Sequence, residues 1–344
     1  MFRYLFLLIL LVSCASEPEF VPRNFTEVQV EEIFSDSVSI RAITLMGRNL
    51  AFAGSENTYG IYNYNEDAVR TSQLRIDSVH TEFRAVAATS EDFFMLSVGN
   101  PALLFKTGEG GKMLPVYLEE HEKVFYDSMD FWNDMEGIAM GDPTDGCISV
   151  IITRDGGRTW KKLPCSALPA AEEGEAAFAA SNTNIAIVGD HTWIATGGSR
   201  SGILYSPDKG QTWQLFDTPV VQGEATQGIY SIDFYDENNG FAIGGDYTKP
   251  EQNAANKAVT TDGGKTWKLV GADVDPGYLS CVQYIPGREG KELVALGFQG
   301  IYFSNDAGST FNKISEEAFY TLRFNSDSTA FAAGKNRIAK LTFK

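Results

Sequence analysis

Thr153-Arg154-Asp155-Gly156-Gly157-Arg158-Thr159-Trp160 is the stretch on which the reading of this chain turns. Its pattern, S/T-x-D-x-G-x-T-W/F, returns as SPDKGQTW at 206–213, TTDGGKTW at 260–267 and SNDAGSTF at 304–311. Successive aspartates are 53, 54 and 44 residues apart, so the pattern punctuates a repeated supersecondary unit. The chemistry is that of a hairpin turn. Asp and Ser/Thr side chains bond nearby backbone N–H groups, the glycine takes a positive φ, and the Trp or Phe packs inward from the next strand. Asp155, Asp208, Asp262 and Asp306 are therefore read as turn-makers, not as acids or metal ligands.

A second repeat counts the units. A short apolar strand ending in glycine recurs seven times, at Gly54, Gly99, Gly141, Gly197, Gly244, Gly297 and Gly334. Each is preceded by a strand with a small residue near its start: Ala42, Ala85, Ser128, Ala177, Ser231, Ser280 and Thr321. Small side chains suit an innermost strand crowded around a central channel. The order inner strand, glycine-ended strand, third strand, turn and outer strand is that of a propeller blade. The predicted fold is all-β, a seven-bladed β-propeller, with a six-bladed ring as the alternative. Residues 106–113 stand where one unit has lost its Asp turn. The last unit runs out at Lys344 after 337–343, so residues 25–33 are expected to supply its outer strand and close the ring.

The turn motif is the Asp-box and resembles the BNR repeat of sialidase-like and sortilin-like propellers. Longer strings carry a more specific resemblance: FWNDMEGIAMGDPTDG followed by ITRDGGRTWKKLP within 125–164, then GEAAFAASNTNIAI (174–187), QGIYSIDF (227–234) and AIGGDY (242–247). These resemble the photosystem II stability/assembly factor family and its non-photosynthetic bacterial lipoprotein relatives. The resemblance implies a propeller that binds or helps to assemble something. No glycine-rich βαβ unit for a dinucleotide accompanies it, since residues 108–111 sit in a turn without a following helix, and no cofactor is expected.

The N-terminus reads as a targeting segment. Residues 1–13 carry Arg3 and a short apolar run, too short to span a bilayer but right for an export signal. The run ends in Leu11-Val12-Ser13-Cys14, a lipobox-like string, which makes Cys14 the expected lipidation site. Acyl chains anchor through roughly 0.8 kcal/mol per buried CH₂. Residues 14–24 are then a tether and 25–344 a single domain. The expected place is the outer membrane, facing the periplasm or the cell surface, with the membrane held through the lipid alone.

The formal charge of −17 argues against nucleic acid as a partner, while a net-negative chain can still hold a local basic pocket. Three histidines, His80, His121 and His191, are far apart in sequence, so no metal site is expected. With Cys14 lipidated, Cys147, Cys165 and Cys281 remain. Cys147 and Cys165 flank Gly156 by nine residues each and so face each other across a hairpin, as a disulfide or as two buried thiols.

The glycine-ended strands mark one rim, where long loops concentrate candidate binding residues. Ligand candidates there are Arg41, Arg84, Asp127, Glu175, Tyr230 and Tyr278 near inner-strand starts, with Tyr320 beside them. The loops after the glycines add Asn100, Asp142, Asp145, Arg200, Asp246 and Tyr247. Such a mouth suits an envelope protein, a glycan or another carboxylated or hydroxylated ligand, bound by a monomer. The competing reading of the cations and acids is a set of salt bridges between blades. The enzyme alternative is a sialidase-like glycosidase, with Glu175 and Tyr230 as nucleophile pair and Asp142 as acid. The Arg-Ile-Pro string of that family is absent, because Tyr284-Ile285-Pro286 has Tyr in the Arg position.

Overall fold

The repeated glycines owe their place to what lies beside them. A Cβ on Gly141 would stand 2.1 Å from the Phe125 carbonyl oxygen, and one on Gly244 would stand 1.9 Å from that of Gly228. At Gly54, Gly141 and Gly244 a bare backbone lets the end of the second strand press against the chain leading into the first strand of its blade. The computed structural model describes residues 20–75, 81–271 and 274–344, and it arranges seven such sheets as a propeller. Among the described residues no helix is long and apolar enough to cross a membrane.

Blade 3 shows the plan: Tyr126–Phe131, Gly137–Gly141, Ser149–Thr153 and Lys161–Lys162 pair antiparallel in chain order. Blades 1, 2, 5 and 6 repeat it from Ala42–Met46, Phe83–Ala88, Gln227–Phe234 and Cys281–Tyr284. Strand alternation sends successive side chains to opposite neighbours. Ile138 and Met140 thus pack toward blade 4, while Ala139 packs with blade 2. The core is consequently seven apolar wedges, one between each adjacent pair of blades.

The Asp-box turns hold themselves. Thr153 Oγ1 accepts from Gly157 N–H at 2.9 Å and donates to Asp155 Oδ1, whose carboxylate takes Thr159 N–H at 2.9 Å and Oγ1–H at 2.7 Å. The same bonds recur around Asp208, Asp262 and Asp306. Burial works against these charges, but the Thr donors outweigh it and hold all four carboxyls below the usual range. Each box aromatic faces the preceding blade: Trp160 blade 2, Trp213 blade 3, Trp267 blade 4 and Phe311 blade 5.

The ring closes as the incomplete last unit requires, with shifted bounds. Thr329–Phe343 supplies the second and third strands of blade 7, turning back near Asn336 (φ 64°) so that Phe343 N–H reaches Ser328 O. The outer strand is Val28–Ser39 rather than 25–33, paired from Val28 opposite Phe343 to Ser39 opposite Lys335. The segment expected to be a tether is docked from Phe20 onward: Arg23 grips the buried Glu292, and Phe25 packs on Phe303 and Phe343. Cys14 and His80 lie outside the described residues.

Blade 4 departs from the plan. Its inner strand is Ile185–Val188, so Ala177 is not an inner-strand residue. Glu175–Ala176 instead pairs with Gly197–Gly198 beside blade 5. Between them the chain crosses the channel at 178–184. Cys147 and Cys165 are bonded at the open end of the blade 3 hairpin, with Cα atoms 5.5 Å apart, and Cys281 is a buried free thiol.

Candidate functional site

Small inner-strand residues leave a channel, and the chain of blade 4 fills it. Asn182 Oδ1 accepts from Met129 N–H at 3.0 Å and Val86 N–H at 3.4 Å, while its Nδ2 donates to Val86 O at 2.9 Å. Ser181 Oγ donates to Ser280 O, Thr183 Oγ1 to Ser231 Oγ, and Thr321 Oγ1 to Ser181 O. Arg323 donates to Asn182 O from the far side. Strands of blades 2, 3, 5, 6 and 7 thus spend polar groups on one crossing segment. The mouth above it is a blind cup.

That cup holds about 450 Å³. Its floor is 176–180, and Arg41, Arg84, Asp142, Tyr230, Tyr247 and Tyr278 of the sequence candidates all line it. Three rim residues owe their aim to irregular pairing. The register slips between Phe83 and Ala85, between Tyr126 and Ser128, and between Ile229 and Ser231. Arg84, Asp127 and Tyr230 are the extra residues of these bulges, a device that redirects a side chain out of the ladder.

The two arginines come from adjacent blades and repel each other. Arg41 lies over the Tyr320 ring at 4.0 Å and reaches only the Ala180 carbonyl, at 3.4 Å. Burial first, then the charge of Arg84, depresses its pKa. Arg84 pairs with Glu82 at 3.0 Å, two residues away in its own blade, and stands 5.9 Å from the Phe125 ring. Neither arginine bridges blades to a carboxylate among the described residues, against the salt-bridge reading. The opposite wall is aromatic: Phe178 stacks on Tyr230 at 3.9 Å, and Tyr278 meets Tyr230 edge-on at 4.7 Å and Phe298 at 5.3 Å. Tyr230 gives its hydroxyl to Thr226 O at 2.8 Å. Tyr247 and Phe298 are half exposed at the lip.

Asp142 accepts from Ala177 N–H at 2.7 Å, and burial pushes its carboxyl up to about 6 against that bond. Asp127 lies behind the wall rather than in the cup. It is fully buried with no hydrogen-bond partner of normal geometry, and burial and Asp142 raise its pKa well above the carboxylate range. A second, larger concavity of about 800 Å³ adjoins across Phe125, Asp142 and Ala176, and Asn100 and Glu175 line it.

Several candidates are engaged elsewhere. Arg200 and Glu175 pair with each other at 2.6 Å, and Glu175 also accepts from Thr196 Oγ1 at 2.8 Å and Glu172 N–H at 3.0 Å. Arg200 further donates to Ala170 O. The pair ties the 170–176 loop together. Asp246 is buried, caps its own loop through Thr248 N–H and Oγ1–H, and is held below the usual range despite burial. Asp145 is exposed and lines neither concavity. The set Glu175, Tyr230 and Asp142 is therefore not assembled as a nucleophile pair with an acid: Glu175 is clasped in one concavity, and Tyr230 is bonded to backbone in the other. Among the described residues no three His, Cys, Asp or Glu side chains gather as a metal site. Sequence reading missed Phe125, Phe178 and Phe298 and the floor itself. The run AAFAASNTN at 176–184, small and polar without strand alternation, was the available signal.

The BNR/Asp-box repeat family matches residues 258–269, the third copy of the turn. No curated protein matches the sequence. Solved propellers are similar in shape. "YCF48 bound to D1 peptide" superposes with a TM-score of 0.66 at 15% identity, over 96% of this chain and 99% of that one. YCF48 from Cyanidioschyzon merolae gives 0.66 at 11% identity, over 92% and 99%. The GH74 enzyme of Niastella koreensis gives 0.57 at 14%, over 90% of this chain but 43% of that one. At these identities the likeness is one of fold.

Proposed function

We propose that this propeller is an extracytoplasmic binding or assembly factor whose mouth takes a carboxylate carried by a segment of a partner polypeptide. The observation that carries the reading is Arg41, a guanidinium held over Tyr320 beside Arg84 that forms no ion pair with a carboxylate among the described residues. Two guanidiniums that repel each other, of which only Arg84 is paired to a carboxylate, that of Glu82, gain from an incoming anion, and guanidinium forks match carboxylate geometry. The aromatic wall offers flat apolar area to the residues flanking the anion. A cup of about 450 Å³ accommodates a few side chains, not a folded domain. A peptide is also what the similar YCF48 structure contains.

The test is selection of a peptide library on the soluble domain, with each sequence presented as free acid and as C-terminal amide or with Asp and Glu replaced by Asn and Gln. Enrichment limited to anionic peptides supports the reading; indifference to charge removal contradicts it. The glycosidase reading is tested beside it with aryl glycosides and sialosides. Turnover that disappears in Glu175→Gln would replace binding with hydrolysis.

A further inference from the structure

The arm ahead of blade 7's outer strand leaves the disc on one particular side. Arg23 clasps Glu292 through its backbone N–H at 2.9 Å and its Nε–H at 2.8 Å, and Arg288 grips the same carboxylate at 2.8 Å. The Glu292 side chain is fully buried; burial opposes its charge, but the two arginines outweigh that and hold it below the usual range. Arg288 also donates to Val21 O and lies 4.9 Å from the Phe20 ring, and Asn305 Nδ2 donates to Arg23 O at 2.7 Å. Glu292 closes the turn between the first and second strands of blade 6, and Asn305 sits inside that blade's Asp-box. Both kinds of turn lie on the face opposite the mouth, because each blade's strands alternate in direction.

We infer that the chain lies on its membrane with the Asp-box face toward the bilayer and the arginine mouth facing away. The inference rests on acylation at Cys14 and is independent of what the mouth binds. From Cys14 to Phe20 there are six residue steps, a reach of at most about 21 Å when fully extended. A five-residue strand alone spans about 17 Å, and turns and loops add to the height of the disc. A fully extended reach of this size is little more than the height of one strand, which leaves almost nothing for turning the mouth to the lipid once the chain has climbed from its clasp. The blade 6 and 7 edge is therefore the part of the disc nearest the bilayer, and the mouth opens to the aqueous side, where a polypeptide can approach.

The test uses the acylated full chain in vesicles of phosphatidylethanolamine and phosphatidylglycerol carrying a rhodamine headgroup acceptor. A fluorescent donor is attached at Ser309→Cys, on the blade 6 Asp-box, or at Glu224→Cys, exposed beside the mouth. The native thiols do not compete, since Cys147 and Cys165 are bonded and Cys281 is buried. Energy transfer from position 309 is expected to exceed that from 224 at least twofold; equal or reversed transfer overturns the inference. Arg23→Ala with Arg288→Ala frees the arm and should shrink the difference. A difference that survives unchanged shows that the clasp does not orient the disc. Cys14→Ser separates the premise: it should leave the vesicles, and a variant that still floats with them removes the anchor on which the orientation depends. Peptide binding at the mouth should be the same in Ser309→Cys, in Arg23→Ala with Arg288→Ala, and in Cys14→Ser.

Discussion

Among the described residues Asp142 is the one acid that lines the cup with the two arginines, and its proton helps to set the charge an incoming anion meets. Burial raises its carboxyl to about 6. Above that pH its charge opposes an anionic ligand, so affinity for a carboxylated peptide should rise several-fold between pH 7.5 and pH 5, where the ligand is still ionised. Asp142→Asn should bind at pH 7.5 as the wild type does at pH 5 and lose the dependence, as read by calorimetric titration. Folding carries the matching sign. The folded state holds this proton more tightly than the unfolded chain, so the contribution is fully present below the unfolded value near 3.8 and lost as pH rises through about 6. At roughly 1.4 kcal/mol per unit, Asp142→Asn should stabilise by about 3 kcal/mol at pH 7.5 and by little at pH 4. Single residues were legible where the repeat placed them: Arg41, Arg84 and Tyr230 each immediately precede the small inner-strand residue. Glu175 and Arg200 were not, because only folded coordinates show two rim charges neutralising each other.

Elements were the most legible level, since their signals are local. The Asp-box is a set of side-chain bonds across seven residues, and the structure repeats it four times at nearly constant distances. Asp262→Ala removes the acceptor for Thr266 N–H and Oγ1–H and should cost about 1–2 kcal/mol in urea unfolding while leaving peptide affinity unchanged. A loss of binding without loss of stability would mean that the Asp-box face carries the site. The second-strand glycines were equally plain as a repeat, and at Gly54, Gly141 and Gly244 a Cβ cannot coexist with the carbonyl beside it. The crossing segment at 178–184 left no such mark. It is neither alternating nor helical, and its bonds run to strands 48 to 141 residues away.

At the scale of the molecule, that segment turns a ring with a hole into a cup with a floor. Asn182, at φ 58°, serves the N–H and carbonyl of Val86 on blade 2 and the N–H of Met129 on blade 3. Asn182→Gly keeps the backbone but strands those groups, and about 2–3 kcal/mol of stability should go; Asn182→Ala should lose more, since it adds strain at positive φ. Thermal unfolding of the two variants checks the order. Because Ala180 O meets Arg41 and Phe178 stacks on Tyr230, the floor also places the ligand-facing groups, so both variants should weaken peptide binding at temperatures where they remain folded. The most direct measurement is the affinity of one selected anionic peptide for the wild type and for Arg41→Ala with Arg84→Ala, titrated at matched ionic strength. A loss of at least about 100-fold with melting temperature retained is expected from removing two charge-assisted contacts. Unchanged affinity in the double variant would contradict the account and take the ligand out of the mouth.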